Sequence, residues 1–380
     1  MPGLWCSSYF MSILRPMTIN SAYELTTRRM ANILSGIIVM ATVAYWPSEG
    51  IAQQRWNGGV THVDTVEAPS LRGSLIGDPD RREVTVYLPP GYSTQTAKRY
   101  PVVFLLHGFG ADHRQFMNGQ YQNFNVRISM DSLIRVKAVS PMIVVMPNGR
   151  SFFGGSFFMN SPVTGAWEDF IVHDLISHVD RKYRTRRARD SRGIAGHSMG
   201  GFGALRIAMR HPDKFSAVYA MSPCCMASMD APERTAGWKA AVGLTRREDY
   251  QAAGFTAHLL YGLAAAYSPN IDKPPLFADL PYRLDSGTLV PVPSIAEKWM
   301  MGPLAMASTH LAALRRLAIG FDAGDSDGLT DIPPNVRALD SLLTSHRIPH
   351  TAEIYEGNHG NLVRARFETR VFPFLSRSLH

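Results

Sequence analysis

Between residues 82 and 378 the chain alternates two hydrophobic rhythms. REVTVYLPPGY (82–92) sets Val84, Val86 and Leu88 at every second position and stops at Pro-Pro-Gly, the pattern of a strand with one face on a core. The run Val102–Leu106 in RYPVVFLLHGFG (99–110) and the apolar stretch of PMIVVMPNGR (141–150) are continuous instead, which fits strands buried on both faces of a sheet. The period changes in WEDFIVHDLISHVDRKY (167–183), where Phe170, Ile171, Leu175, Ile176 and Val179 fall on one helical stripe. SRGIAGHS (191–198) reads as a strand, FGALRIAMRHP (202–212) as a helix closed by Pro212, and FSAVYAMSP (215–223) as a further strand. From about 226 to 310 the rhythm breaks. Met, Trp, Pro and short helical patches such as QAAGFTAHLLYGLAAAY (251–267) take over, and no strand of comparable quality is visible. Strand and helix then return: RRLAIGFDAG (315–324), a helix near 335–346, HTAEIYEG (350–357) and a terminal helix through FETRVFPFLSRS (367–378). This order predicts one α/β domain over 53–380, a mostly parallel central sheet flanked by helices, with 226–310 as a helical, lid-like insertion.

Composition changes the picture at the N-terminus. Arg28 and Arg29 precede ILSGIIVMATVAYW (33–46), and PSEGIA (47–52) follows. A positive region, a short apolar run and small residues before a cleavage point form the pattern of a secretory signal. The apolar run is short of the about 20 residues that span a bilayer. The expectation is an exported, periplasmic or secreted protein whose mature chain begins near Gln53. Membrane contact is expected only through an uncleaved leader. The formal net charge of +8 is dispersed, apart from RKYRTRRAR (181–189). That run lies where a helix should end, a place that favours cations, and no aromatic platform accompanies it. It reads as a solvated helix end, and no nucleic-acid partner is expected. Three cysteines are too few for a disulfide framework. Cys6 falls in the leader, and Cys224 and Cys225 are expected as buried thiols. No Cys/His cluster has zinc spacing, so neither a metal nor a cofactor is expected.

Candidate chemistry gathers at GIAGHSMGGFGAL (193–205), where Gly196-His197-Ser198-Met199-Gly200 matches G-x-S-x-G. About one chain of this length in ten would hold that pattern by chance, so the setting has to decide. A buried-type strand before the serine and an amphipathic helix after it are the surroundings of a nucleophile elbow, a turn too tight for flanking side chains. Ser198 Oγ would then stand at a helix N-terminus, where unpaired N–H groups favour developing negative charge. A serine hydroxyl needs a base to take its proton, and in the order Ser…acid…His that base comes late in the chain. Of thirteen histidines, His359 in YEGNHGN alone follows the last strand and precedes the last helix. GFDAGDSDGL (320–329) offers three acids. Asp322 directly follows the apolar run and is placed to cap loop N–H groups. Asp325 is expected to face water, and Asp327 can fold back toward His359. A second oxyanion donor besides the Met199 amide comes from LLHGFGADHRQF (105–116): the Phe109 amide is our choice, with Gly110 the alternative. His107, in a strand-end His-Gly pair, is expected to shape this loop.

YLPPGY (87–92), YPVVFLLHG (100–108), IVVMPNG (143–149), GHSMGGFGALRIAMRHPDKFSAVYAMSP (196–223) and EGNHG (356–360) together resemble the esterase family of α/β hydrolases. That family includes esterase D (S-formylglutathione hydrolase), feruloyl and acetylxylan esterases, enterochelin esterases and mycolyltransferases. The resemblance runs from about 82 to 378 and covers the insertion in part, through AAYSPNIDKPPLFADLP (265–281). It implies an α/β-hydrolase fold, with Ser198 as nucleophile, His359 as base, and Phe109 and Met199 as oxyanion donors. The family's D-x-G-x-x-D pattern, matched by Asp322, Gly324 and Asp327, carries the acid to Asp327. One departure follows the base: the family often has an aromatic residue there, whereas this chain has Gly360, Asn361 and Leu362. The implied activity is cleavage of a small-molecule or polysaccharide-linked carboxylic ester through an acyl-enzyme. Acyl transfer to a sugar or lipid hydroxyl would use the same residues, and a non-catalytic binding protein on the same fold is a competing reading from another class. The insertion is expected to cover the mouth of the site, with Trp238 or Tyr267 setting substrate size.

Overall fold

The computed structural model describes residues 57–227 and 235–380. The leader, with its paired arginines, its apolar run and the boundary at Gln53, lies outside the described residues, as does Cys6. Eight strands form the main sheet: β1 (Val60–Glu67), β2 (Arg81–Leu88), β3 (Val102–Leu106), β4 (Ile143–Pro147), β5 (Arg192–His197), β6 (Ala217–Met221), β7 (Ala318–Gly324) and β8 (Thr351–Tyr355). Their order is β1-β2-β4-β3-β5-β6-β7-β8. β2 is antiparallel to both of its neighbours, and every other neighbouring pair is parallel. The continuous apolar runs now have their reason. Val102, Phe104 and Leu106 enter the core on one face of the sheet, while Val103 and Leu105 enter the core on the other.

Helices cover both faces. The ones that matter below are α1 (Val126–Arg135), α2 (Ile176–Lys182), α3 (Met199–Arg210), α4 (Thr235–Val242), α5 (Phe255–Tyr267), α6 (Ile332–Ser345) and α7 (Phe372–Ser378). Phe202 of α3 belongs to the same core as Phe104, whereas Phe372 and Leu375 of α7 belong to the core of Val103 on the other face. Asn125 starts α1 by accepting the Ile128 N–H at 3.2 Å.

Several elements differ from the sequence expectation. β1 carries no strand signature in the sequence because its inward position 64 is an aspartate. That carboxylate is buried and takes bonds from Lys182 Nζ at 2.6 Å, Tyr183 Oη–H at 2.8 Å and His178 Nε2 at 3.0 Å. The strand therefore shows no apolar alternation. α3 begins at Met199, three residues before its apolar stripe, because the glycines there pack without side chains. The insertion holds α4, α5 and further short helices, and also a two-stranded hairpin, Tyr282–Asp285 with Thr288–Pro291. Trp238 and Tyr267 both pack on Trp299, with ring centroids 5.6 and 5.8 Å away, so they build the insertion's own core and not a mouth. The basic run starts at the end of α2, as expected, and Arg181 and Arg186 stay exposed, but three of its arginines are tethers. Arg184 lies over the Tyr92 ring at 3.8 Å, and Arg187 and Arg189 donate to the carbonyls of Asp180 and Pro212, each at 2.6 Å. Cys224 and Cys225 are both buried.

Candidate active site

β3, β5, β7 and β8 are mutually parallel through the sheet, so the loops that follow them leave from one edge. β5 ends at His197, α3 begins at Met199, and Ser198 alone makes the turn between them, at φ 59° and ψ −120°. A non-glycine residue held there stores on the order of 1–3 kcal/mol, so its surroundings must enforce it. The Ser198 N–H donates to Met221 O at 3.0 Å, and the Ser198 carbonyl accepts the Phe202 N–H at 3.0 Å. Two glycines make room. A Cβ on Gly196 would stand 2.3 Å from the carbonyl carbon of Gly200, and one on Gly200 would stand 2.0 Å from Leu106 O. The helix can cross β5 and approach β3 only because both side chains are missing.

His359 follows β8, and Asp327 lies in the loop after β7. Asp327 Oδ2 accepts the His359 Nδ1–H at 2.7 Å, and Oδ1 accepts the Leu329 N–H at 2.8 Å. The carboxylate is fully buried. An ionised carboxylate only accepts, so Nδ1 carries the proton and Nε2 presents its lone pair. Ser198 and His359 line one cavity of about 260 Å³. A larger cleft of about 620 Å³ lies within the insertion, lined by Leu244, Tyr261, Lys273 and their neighbours, and holds none of the candidate residues. The chemistry, not the volume, selects the smaller one.

The other two aspartates are occupied. Asp322 Oδ2 takes bonds from Arg366 Nε at 2.8 Å, Arg366 Nη2 at 2.6 Å and Tyr219 Oη–H at 2.9 Å. The loop-capping role expected of Asp322 falls to Asp325, whose Oδ1 accepts the Gly357 N–H at 3.1 Å and the Ser326 Oγ–H at 2.9 Å. These bonds hold the exposed Asp325 carboxyl below its usual range.

On the loop after β3, the Gly108 N–H donates to Gln115 Oε1 at 2.8 Å and the Gly110 N–H to Gly154 O at 2.9 Å. The amide between them, on Phe109, donates to no group among the described residues, and neither does that of Met199 at the first turn of α3. The Gly110 alternative is thereby removed. His107 Nε2 accepts the Gly149 N–H at 2.8 Å, so its Nδ1–H donates to Gly108 O, also at 2.8 Å. Burial lowers this imidazole to about 4, and the neutral ring ties two loops together.

The walls of the cavity were not legible in the sequence. Gln115, Tyr121 and Leu329 come from loops, and Phe255 and Leu259 come from α5. Phe255 meets Phe109 edge-on at 5.8 Å, so the insertion reaches the site through these two residues rather than through Trp238 or Tyr267. The space left by Gly360, in the stretch where an aromatic was missing, borders Tyr121: a Cβ on Gly360 would meet that ring at 3.5 Å. His197 also lines the cavity, and nothing in a G-x-S-x-G pattern marks the residue before the serine.

A family model described as "Putative esterase" matches residues 79–365. An esterase of Mycobacterium tuberculosis is 33% identical over 139 residues, covering 35% of this chain and 27% of that protein. The endo-1,4-beta-xylanase/feruloyl esterase of Xylanibacter ruminicola is 32% identical over 136 residues, covering 34% of this chain and 18% of that protein. The chain thus spans under a third of the length of these curated relatives. Among solved structures, a ferulic acid esterase matches with a TM-score of 0.59 at 23% identity, over 85% of this chain and 98% of its own. An S-formylglutathione hydrolase from Agrobacterium tumefaciens matches with a TM-score of 0.55 at 17% identity, over 85% and 96%. At these identities the structural likeness is one of fold, the α/β-hydrolase fold.

Proposed function

Because the chain belongs to the esterase family of α/β hydrolases, we propose that it hydrolyses carboxylic esters through an acyl-enzyme on Ser198. The observation that carries this reading is the 2.7 Å bond from His359 to the buried Asp327, in a loop that shares a cavity with a serine on a strained turn. His359 Nε2 takes the Ser198 Oγ proton as the oxygen attacks the ester carbonyl. Asp327 keeps the ring in that tautomer and stabilises the imidazolium. The N–H groups of Phe109 and Met199 hold the oxyanion, and each donor in such a hole is worth about 10²–10³ in kcat. The imidazolium then protonates the departing alcohol. A water, deprotonated by the same nitrogen, attacks the acyl-enzyme and releases the acid and Ser198.

Phe109, Phe255, Leu259 and Leu329 give the cavity apolar walls, and about 260 Å³ suits a compact acyl group. With one relative named a feruloyl esterase, the substrate class we infer is an ester of a small or aromatic acid with an alcohol or sugar. The leader read in residues 28–52 makes the enzyme an exported one. Mass spectrometry of the exported form tests that: a first residue near Gln53 supports it, and a chain retaining 33–46 in the membrane fraction opposes it. The activity is tested with an organophosphonate probe and a panel of nitrophenyl, feruloyl and acetylated-sugar esters. Labelling confined to Ser198, with hydrolysis lost in Ser198→Ala, is the expected result. Full labelling of Ser198→Ala would remove the assignment. A competing alcohol in the same assay exposes any acyl transfer as a new ester product.

A further inference from the structure

We propose that His197 is a positioning residue for the base, fastening the loop that carries His359 to the elbow that carries Ser198. This rests on the triad reading above. His197 is the last residue of β5 and is buried. Its Nε2 lies 2.8 Å from the carbonyl oxygen of His359. A carbonyl only accepts, so Nε2 carries the hydrogen and Nδ1 is left with its lone pair. That Nδ1 is buried with no hydrogen-bond partner among the described residues.

A buried, unmatched nitrogen costs free energy, and an apolar side chain would fill the same space without it. What the imidazole adds is the single donor directed at the backbone of residue 359. The rings of His197 and His359 lie with centroids 4.7 Å apart, and Tyr121 meets His197 edge-on at 5.4 Å. Burial, and then the neighbouring His359, lower the His197 imidazole to about 3, so it stays neutral while His359 gains and loses its proton. The base is therefore held at two points. Asp327 fixes the ring through Nδ1, and His197 fixes the backbone that carries the ring. The second bond ties His359 to the residue directly before the nucleophile, so the base and Ser198 share one anchor.

The test uses side chains that differ in reach. The amide nitrogen of a glutamine extends about as far as Nε2, whereas that of an asparagine stops near the reach of Nδ1 and cannot meet His359 O. On nitrophenyl acetate, His197→Gln should keep kcat within about threefold of wild type. His197→Asn and His197→Leu should lower kcat on the order of 100-fold with KM nearly unchanged, the scale of a 1 Å misplacement of a reacting group. Should the leucine variant fail to fold, glutamine against asparagine carries the same comparison, with urea midpoints measured beside the rates. Equal kcat in the glutamine and asparagine variants, whether both normal or both low, overturns the proposal. The rate of organophosphonate labelling separates it from the triad reading. Labelling of His359→Ala at the wild-type rate would remove the triad itself. Slow labelling of His359→Ala beside wild-type labelling of His197→Asn would remove only the clamp.

Discussion

Replacing Gly200 with alanine probes the elbow at its tightest point. The added methyl would stand 2.0 Å from Leu106 O, 2.5 Å from Leu106 C and 2.9 Å from His107 O. All three are backbone atoms, so no rotamer change relieves the contact. The first turn of α3 must instead move away from the end of β3 by more than an ångström. β3 resists, because it is bonded between β4 and β5 and all five of its residues are buried. Overpacking a filled core costs about 1–3 kcal/mol and occasionally more, and two facing backbones put this case at or above about 3 kcal/mol. The same movement separates the two proposed oxyanion donors, since Met199 opens α3 and Phe109 follows β3. A 1 Å misplacement is worth about 100-fold, so kcat should fall by that order in the molecules that remain folded. The urea midpoint gives the stability, and initial rates on nitrophenyl acetate, normalised to folded protein, give kcat. Gly328→Ala is the control. Gly328 lines the same cavity, but its Cβ would meet nothing within 4 Å, so its stability should change by about 0.5 kcal/mol or less. A Gly200→Ala protein with an unchanged urea midpoint and near-normal kcat would refute both the tight approach and the donor placement built on it.

The three aspartates separate by assay. Asp327→Asn should fold normally and lose about 10⁴ in kcat, as in the serine-protease case, while Asp325→Asn should keep near-normal kcat; steady-state kinetics with the wrong residue silent would reverse the assignment. Asp322→Asn should lose stability first, about 1–3 kcal/mol by urea denaturation, because it removes one of the two carboxylates, with Glu353, that hold the buried Arg366. Phe255→Ala or Leu259→Ala should raise KM for an aromatic acyl ester about tenfold while sparing acetate, since each removes apolar wall worth 1–3 kcal/mol; Trp238→Ala, packed in the insertion's core, should instead lower the melting temperature. The pH dependence of stability also carries a sign. His107 titrates near 6.5 when unfolded and near 4 when folded, so the unfolded chain binds its proton first. Its contribution is complete above about pH 6.5 and fades as pH falls toward 4, amounting to a few kcal/mol. Urea midpoints of His107→Gln should therefore fall less steeply with acidification than those of wild type, and parallel curves would count against the buried neutral ring.

Hydrophobic period is a local property of the chain, and what depends on it was legible along the sequence. The both-face burial of Val102–Leu106, the helical stripe of 167–183 and the crowding of Gly196 and Gly200 around Ser198 each announce a strand, a helix or a tight turn from neighbouring residues alone. Strand β1 failed this test because its inward Asp64 is satisfied by Lys182, 118 residues away. The choice among three aspartates is likewise not local. Arg366, 44 residues on, holds Asp322; the Gly357 amide holds Asp325; and only Asp327 is left to meet His359. The loop after β3 follows the same logic, since the carbonyl of Gly154 takes the Gly110 amide and leaves that of Phe109 without a partner among the described residues. Periodicity sets which face of an element is buried. Which hydrogen-bond partner a buried polar group finds depends on loops brought together from distant strands, and that is decided only once the sheet has formed.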